Sequence, residues 1–452
     1  MEDVDVAIVG GGPAGSSAAR AAADHDADAV VLEKGVPRAD RERLGPDSTD
    51  AAGLLDYWLD IMEFDPGEFP DDVVLSELEG AKFYGPDSEL ALTETGIDAT
   101  YDGFGFTFHR ARFDDWLRER ALEAGAEYRT GVSVTGVETD LTSSPRHTVT
   151  LAKGEDIRAD AVVLADGPQR TVTSGTLDQF LPEDRSMSEI LPSTSANHIA
   201  YQEHRRMPEE LFDPEFIEFW WGIMPGHTAY PWIFPNDPPV ARIGLTMPIG
   251  LDIDNYDVAE WDLLRPEDEG IPRGSEYVER LLERQFPEYD LTDFPLVEDR
   301  GKSKGTETYP ISSTRPIESP CRAGIAVTGG AMGGTSAFHE GGDHVAVRTG
   351  KIAGQLAAQG RLERYNEEWH AAIGDEVLRN VTFADIVRDW GPSDWDRAFT
   401  TANDLMDARG IKADAALKGG YYGLKMVLTY KWNKFGYRNG RYVQLRESDY
   451  TI

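Results

Sequence analysis

Cysteine is almost absent: Cys321 is the only one in 452 residues. Within the chain this excludes a disulfide, a Cys-x-x-Cys redox pair and a cysteine-held iron–sulfur cluster. Long apolar runs are missing as well. No stretch reaches the roughly 18 to 20 apolar residues of a membrane-crossing helix. Positive charge is scarce, with 44 Lys and Arg against 81 Asp and Glu and a net charge of −37. A protein this acidic lacks the basic face that phosphate neutralisation requires, so a general nucleic-acid binder is excluded. Lysine is scarcer than arginine, 11 residues against 33. Such a composition suits a salt-loaded cytoplasm, where the Debye length falls to about 3 Å and self-repulsion is screened. The first residues carry no basic segment and no leader-peptide cleavage site, so a cytoplasmic location is expected. Hydrophobic residues are nonetheless 40% of the chain and aromatics 10%, enough for a large core and incompatible with general disorder. At roughly 150 residues per domain the length suggests two or three domains.

Val4 to Val9 reads as a buried strand. Gly10-Gly11-Gly12-Pro13-Ala14-Gly15 follows, then the Ala-rich helical stretch Ser16 to Ala23, then a second apolar strand, Ala29 to Leu32, ending at Glu33. This is the strand–turn–helix–strand–acid pattern of dinucleotide binding. Gly10 serves the tight turn, Gly12 lets backbone approach a pyrophosphate, and Ala14 and Gly15 let the helix pack on the strand. Glu33 is placed to accept from a ribose. The pattern alone does not separate FAD from NAD. Two later segments extend it. Ala161-Val162-Val163-Leu164-Ala165-Asp166-Gly167 is an apolar strand ending in an Asp-Gly turn. Gly324-Ile325-Ala326-Val327-Thr328-Gly329-Gly330 is another, followed by a Gly-rich loop and a helix over Asp343 to Gln359.

With these three segments the chain resembles the FAD-dependent oxidoreductases of hydroxylase-like fold, which thread one FAD domain through separated stretches. The resemblance implies FAD as cofactor and assigns Asp166 and Gly167 to its second signature. His109-Arg110-Ala111-Arg112-Phe113-Asp114-Asp115-Trp116-Leu117 is similar to that group's Arg-x-x-Phe-Asp-x-x-Leu helix, with Arg110 near the flavin nucleotide. Val132-Ser133-Val134 reads as a strand, whose backbone at Val134 would cover the adenine.

Tyr230-Pro231-Trp232-Ile233-Phe234-Pro235, followed after eight residues by Gly244-Leu245-Thr246, narrows the resemblance. It is similar to the Tyr-x-Trp-x-Phe-Pro…Gly-x-Gly motif of the geranylgeranyl reductase family, and the likeness runs over roughly residues 1 to 360. That family saturates prenyl chains of archaeal lipids and quinones. Alternation along a strand puts Tyr230, Trp232 and Phe234 on one face, where rigid aromatics offer a prenyl tail an apolar wall. Pro235 and Gly244 complete the expected substrate-side set. Three positions depart from the family pattern. Gly330 stands where the flavin loop has Asp, a loss of about 1.5–3 kcal/mol if one charge-assisted hydrogen bond goes. Arg43-Leu44-Gly45-Pro46-Asp47 carries Leu44 in place of a cysteine. Thr246 replaces glycine. Further on, Phe338-His339-Glu340-Gly341-Gly342 occupies the Gly-rich turn beneath the isoalloxazine, with Gly342 on the cofactor side.

The expected fold is an α/β Rossmann-like FAD domain (1–75, 100–175, 300–360), a mostly antiparallel substrate sheet (76–99, 185–299) and a C-terminal helical region (361–452). The expected reaction is hydride transfer from flavin to a prenyl double bond, with His339 donating the proton and Asp47 a weaker candidate. The reductant is NADPH or a ferredoxin-like protein; no metal is expected. Residues 418–452 interleave Lys and Arg with aromatics, against a strongly acidic remainder. That composition suits either an anionic membrane surface or packing onto the acidic body. Alternatives on the same scaffold are a flavin monooxygenase, a quinone-linked dehydrogenase and a prenyl-lipid-binding protein without chemistry.

Overall fold

The computed structural model describes residues 1–37, 52–144, 146–407 and 420–452. The stretch Arg43 to Asp47, with Leu44 and Asp47, lies outside them. The helices used below are α1 (Pro13–Ala23), α2 (Asp56–Met62), α3 (Arg110–Glu123), α4 (Thr173–Asp178), α5 (Gly274–Gln285), α6 (Asp343–Ala358), α7 (Tyr365–Ile386), α8 (Pro392–Asp407) and α9 (Gly420–Tyr437).

Near-continuous apolar runs form the middle of the first sheet, as strands covered on both faces must. Glu127–Thr130, Ala29–Glu33, Glu2–Val9 and Ile157–Leu164 lie side by side and parallel. Ile325–Val327 pairs parallel with the end of Ile157–Leu164, while the hairpin Val134–Thr139/His147–Leu151 pairs antiparallel with its start. The expected strand over 132–134 therefore begins only at Val134. Gly131 has φ +71° and turns the chain, and the Val132 N–H reaches back 2.9 Å to the Glu33 carbonyl.

α1 and α6 pack on this sheet at backbone contact. A Cβ on Gly350 would lie 2.1 Å from the Ala14 carbonyl oxygen, and one on Gly354 would lie 2.0 Å from that of Ala18. Two glycines one helical turn apart thus set the spacing of the two helices that frame the nucleotide turn.

The second sheet runs Thr306–Ser312, Asn197–Arg206, Val240–Pro248, Tyr230–Pro235, Phe216–Trp220, Gly80–Tyr84, Glu89–Leu92. Its pairings are antiparallel apart from Phe216–Trp220 with Gly80–Tyr84. The sheet reaches past residue 299: Thr306–Ser312 hydrogen-bonds along Asn197–Arg206 and belongs here, so the FAD domain resumes later than expected. One face buries Ile233, Ile243 and Leu245 against Tyr277, Val278, Leu281 and Leu282 of α5. The other buries Tyr230, Trp232, Phe234 and Ala200, together with Trp395 and Phe399 of α8. A small sheet of Gly53–Leu55, Gly105–Phe108 and Val74–Leu78 completes the fold.

The end of the chain returns to the body. Ile317 bridges Leu445, and the Thr451 N–H donates to the Phe180 carbonyl at 2.7 Å. Among the described residues no helix is long and apolar enough to cross a membrane.

Candidate functional site: a nucleotide cradle beneath an aromatic sheet

Gly10 sits at φ +100°, and a Cβ there would lie 2.4 Å from the Ala165 carbonyl oxygen. A Cβ on Gly15 would lie 1.9 Å from the Gly10 carbonyl oxygen. Both positions therefore exclude any side chain. Gly12 differs: a Cβ there meets nothing within 4 Å, so its backbone faces open space. Gly12 is also the N-cap of α1, with no capping side chain and Pro13 as the next residue. The N-terminal N–H groups of α1 and its dipole are left for an anion, which is how a pyrophosphate is held. Ala14 and Gly15 are buried in the same turn.

Glu33 closes the second strand. Its carboxylate accepts from the Gly11 N–H at 2.6 Å and the Gly35 N–H at 2.5 Å. Each oxygen keeps a lone pair for a ribose hydroxyl. Tyr128 was not foreseen: its hydroxyl donates to the Gly11 carbonyl at 2.5 Å and pins the turn from the neighbouring strand. The open glycine, the uncapped helix and the held carboxylate fit the nucleotide half of FAD.

The second signature is divided between two tasks. Gly167 turns the chain at φ +77°. Asp166 faces away from that turn into α4, accepting from the Val172 N–H at 2.7 Å and the Thr173 N–H at 3.0 Å. Asp166 thus braces the N-terminus of α4 from the end of the neighbouring strand. At Gly330, a Cβ would lie 3.2 Å from Pro168 Cδ, tighter than ordinary contact. The position has little room for the missing aspartate. Arg170 takes over the loop, its buried guanidinium donating to the Gly330 carbonyl at 3.1 Å and the Ala331 carbonyl at 2.8 Å. Burial lowers Arg170 to about 10. No local periodicity marks Arg170; its only sequence signal is its place just after the Asp-Gly turn.

Arg110 opens α3 and is tied on two sides. Nε meets Asp114 at 2.7 Å, and a terminal nitrogen meets Asp343 at 3.1 Å, on the first turn of α6. Burial alone would lower the guanidinium, but the two carboxylates outweigh it and hold it charged. Arg110 thus joins the N-termini of α3 and α6 beside Gly342, the N-cap of α6, which also lacks a side-chain cap.

His339 is held by its ring on one side and by its backbone carbonyl on the other. Its ring stacks on Trp58 with centroids 5.4 Å apart, Nδ1 accepts from the Gly341 N–H at 3.1 Å, and Nε2 lies 3.7 Å from Glu376. His344 stacks on the same Trp58 at 4.1 Å and also faces Glu376. Glu376 opposes burial with these two histidines, and its carboxyl is held far below the usual range. What His339 offers the aromatic strand is its carbonyl, which accepts from the Tyr230 hydroxyl at 2.7 Å.

Tyr230, Trp232 and Phe234 do share one buried face. Trp221 stacks on Tyr230 at 4.4 Å, Phe338 stacks on Trp221 at 5.3 Å, and Trp395 meets Trp221 at 4.6 Å. The loop 336–342 and α8 therefore both reach the wall. A Cβ on Gly244 would lie 2.7 Å from Trp232 Cζ2, so this glycine lets the indole lie across the adjacent strand. Pro235 ends the strand opposite Ala241.

An FAD binding domain model matches residues 5–73. The digeranylgeranylglycerophospholipid reductase of Methanosarcina acetivorans is 26% identical over 393 residues, 83% of each chain. That of Methanothrix thermoacetophila is 27% identical over 395 residues, 83% of this chain and 85% of its own. A solved geranylgeranyl bacteriochlorophyll reductase-like protein from Thermoplasma acidophilum shares the fold with TM-score 0.67, at 21% identity over 88% of this chain and 90% of its own. The chain is an FAD-dependent oxidoreductase related to the geranylgeranyl reductases.

Proposed function

We propose that this chain saturates prenyl double bonds of archaeal membrane lipids or prenylquinones. The observation that carries the reading is the aromatic face of Tyr230, Trp232 and Phe234, joined through Tyr230 to the loop that runs into α6. Bound FAD supplies the hydride. The chain's own residues do the rest: the Gly10–Gly15 turn, Glu33 and Arg110 hold the nucleotide, and the aromatic face orients an apolar tail and excludes water. Relatives matched over most of their length are named for reduction of a digeranylgeranyl glycerophospholipid, which supports a lipid substrate. NADPH or a ferredoxin-like protein supplies the electrons. The test is anaerobic incubation of the dithionite-reduced holoenzyme, in molar KCl, with a digeranylgeranylglyceryl phospholipid. The expected product carries two more hydrogens per double bond. Oxygen-dependent hydroxylation of an aromatic compound instead would favour a monooxygenase.

The protein works on the inner face of the cell membrane, by this reading, held through α9. Leu428, Trp432 and Phe435 follow at i, i+4 and i+7 and are 57%, 78% and 65% exposed. Tyr430 and Tyr437 turn the opposite way, to Phe383 and Asp385 of α7. Lys431 and Lys434 flank the apolar stripe, a pattern suited to an anionic lipid interface. Replacing all three exposed residues by Ser leaves the body intact and should abolish co-flotation with anionic vesicles. Flotation equal to wild type would remove the contact.

A further inference from the structure

Glu340 and His198 form a buried acid–base pair at the end of the aromatic wall. Glu340 belongs to the loop before α6, and His198 is the second residue of the strand Asn197–Arg206. Their side chains are 2% and 6% exposed, and His198 Nδ1 is ion-paired to Glu340 Oε1. Thr246 Oγ1 lies 3.5 Å from the same nitrogen, and Thr246 is the cross-strand partner of Tyr230. Glu340 is adjacent to His339, whose carbonyl holds the Tyr230 hydroxyl. His227 is the other histidine close to His198.

Two features mark Glu340 out. It is a non-glycine residue at φ +60°, a conformation that costs backbone energy and persists where the surroundings impose it. Among the described residues its carboxylate, buried at both oxygens, meets one partner, His198, and no further hydrogen-bond donor. Buried carboxylates are normally satisfied, so an imposed, under-satisfied one beside the substrate wall points to a role in proton traffic.

We propose that Glu340 donates the proton of the reduction, with His198 as the positioning residue that holds it and returns a proton to it. This rests on the reading above that the substrate is an alkene. The π bond of the C=C breaks. One carbon receives the hydride supplied by reduced flavin, with its two electrons. The neighbouring carbon receives the carboxyl proton of Glu340, and the resulting carboxylate is reprotonated through His198 from solvent.

The test uses the holoprotein. Glu340→Gln should keep FAD at wild-type stoichiometry yet slow turnover by about 10²- to 10⁴-fold, the usual worth of a positioned acid. Glu340→Asp should recover part of it. In reduced-minus-oxidised infrared difference spectra, a carboxylic-acid band should appear in wild type, vanish in Glu340→Gln and shift in His198→Gln. Wild-type turnover in Glu340→Gln, or no Glu340-dependent band, overturns the assignment. If wild type reduces no prenyl lipid yet shows the band, the alkene reading fails while Glu340 as a redox-linked proton site stands. Should Glu340→Gln fail to fold, Glu340→Gly relieves the backbone and carries both measurements.

Discussion

His147 shows what one buried side chain does to the acid limit of stability. It lies under Gly324 in the FAD domain, with Nδ1 at 3.0 Å from Thr139 Oγ1. Burial, helped by Arg146, brings it down to about 4 from an ordinary value of 6.5. The unfolded chain therefore binds a proton that the folded chain refuses. Stability is unaffected above about pH 6.5 and falls as the pH drops toward 4, by at most about 3 kcal/mol at 1.36 kcal/mol per unit. His147→Phe should flatten denaturant midpoints between pH 6.5 and 4, and midpoints as steep as wild type would discount His147 as the cause. At the same scale the two halves of the site differ in legibility. Gly10, Gly12, Gly15 and Glu33 lie within one local unit, so spacing alone exposes them. Arg170, and Glu340 with His198, meet across long sequence separations, where no periodicity reports a contact. Gly330 was legible as a departure, but its reason, the nearness of Pro168, required coordinates.

α1 and α6 make the most exacting contact between elements. A methyl at Gly350 or Gly354 would force the helices apart, because the obstacle is backbone carbonyl and not a side chain that can turn. Gly350→Ala should cost about 1–3 kcal/mol and weaken FAD binding together with stability, checked by thermal denaturation and flavin release. Loss of FAD with unchanged stability would show that helix spacing is not what the glycine protects. The spacing of four residues between these glycines was present in the sequence, but small-residue pairs also occur on unpacked helices. The strand Thr306–Ser312 was misassigned to the FAD domain for a similar reason: its composition does not say which sheet edge it completes. The aromatic strand was read correctly as one-faced because a period of two survives any tertiary arrangement.

The whole molecule carries −37. Among the described residues most ion pairs leave at least one partner exposed, and those exposed on both sides, such as Arg158 with Asp3 and Arg265 with Glu283, contribute little. Screening the net repulsion therefore outweighs weakening these pairs. The thermal midpoint should rise from 0.1 to 2 M KCl, values chosen to take the Debye length from about 10 Å to below 3 Å. A flat or falling midpoint would remove the high-salt reading of the composition. The basic tail resolves into two parts at this scale. Its last residues clasp the body, with Arg315 donating to the carbonyls of Arg441, Tyr442 and Val443. The outer face of α9 keeps Leu428, Trp432 and Phe435 exposed, so packing onto the body accounts for the last residues and not for that face.

The order of the first sheet also fixes when the protein can acquire its flavin. The turn at Gly10–Gly15 leaves the ribosome first, but the strand beside it is Ile157–Leu164, the next is Ile325–Val327, and the helix against α1 ends at Ala358. At about 5–20 residues per second, roughly 17–70 s of synthesis separate the first piece of the cradle from the last. Through that interval the face of α1 that Gly350 and Gly354 will meet stays without its partner. Slower translation lengthens the wait, so yield in a foreign host should depend on elongation speed and chaperone supply before it depends on flavin.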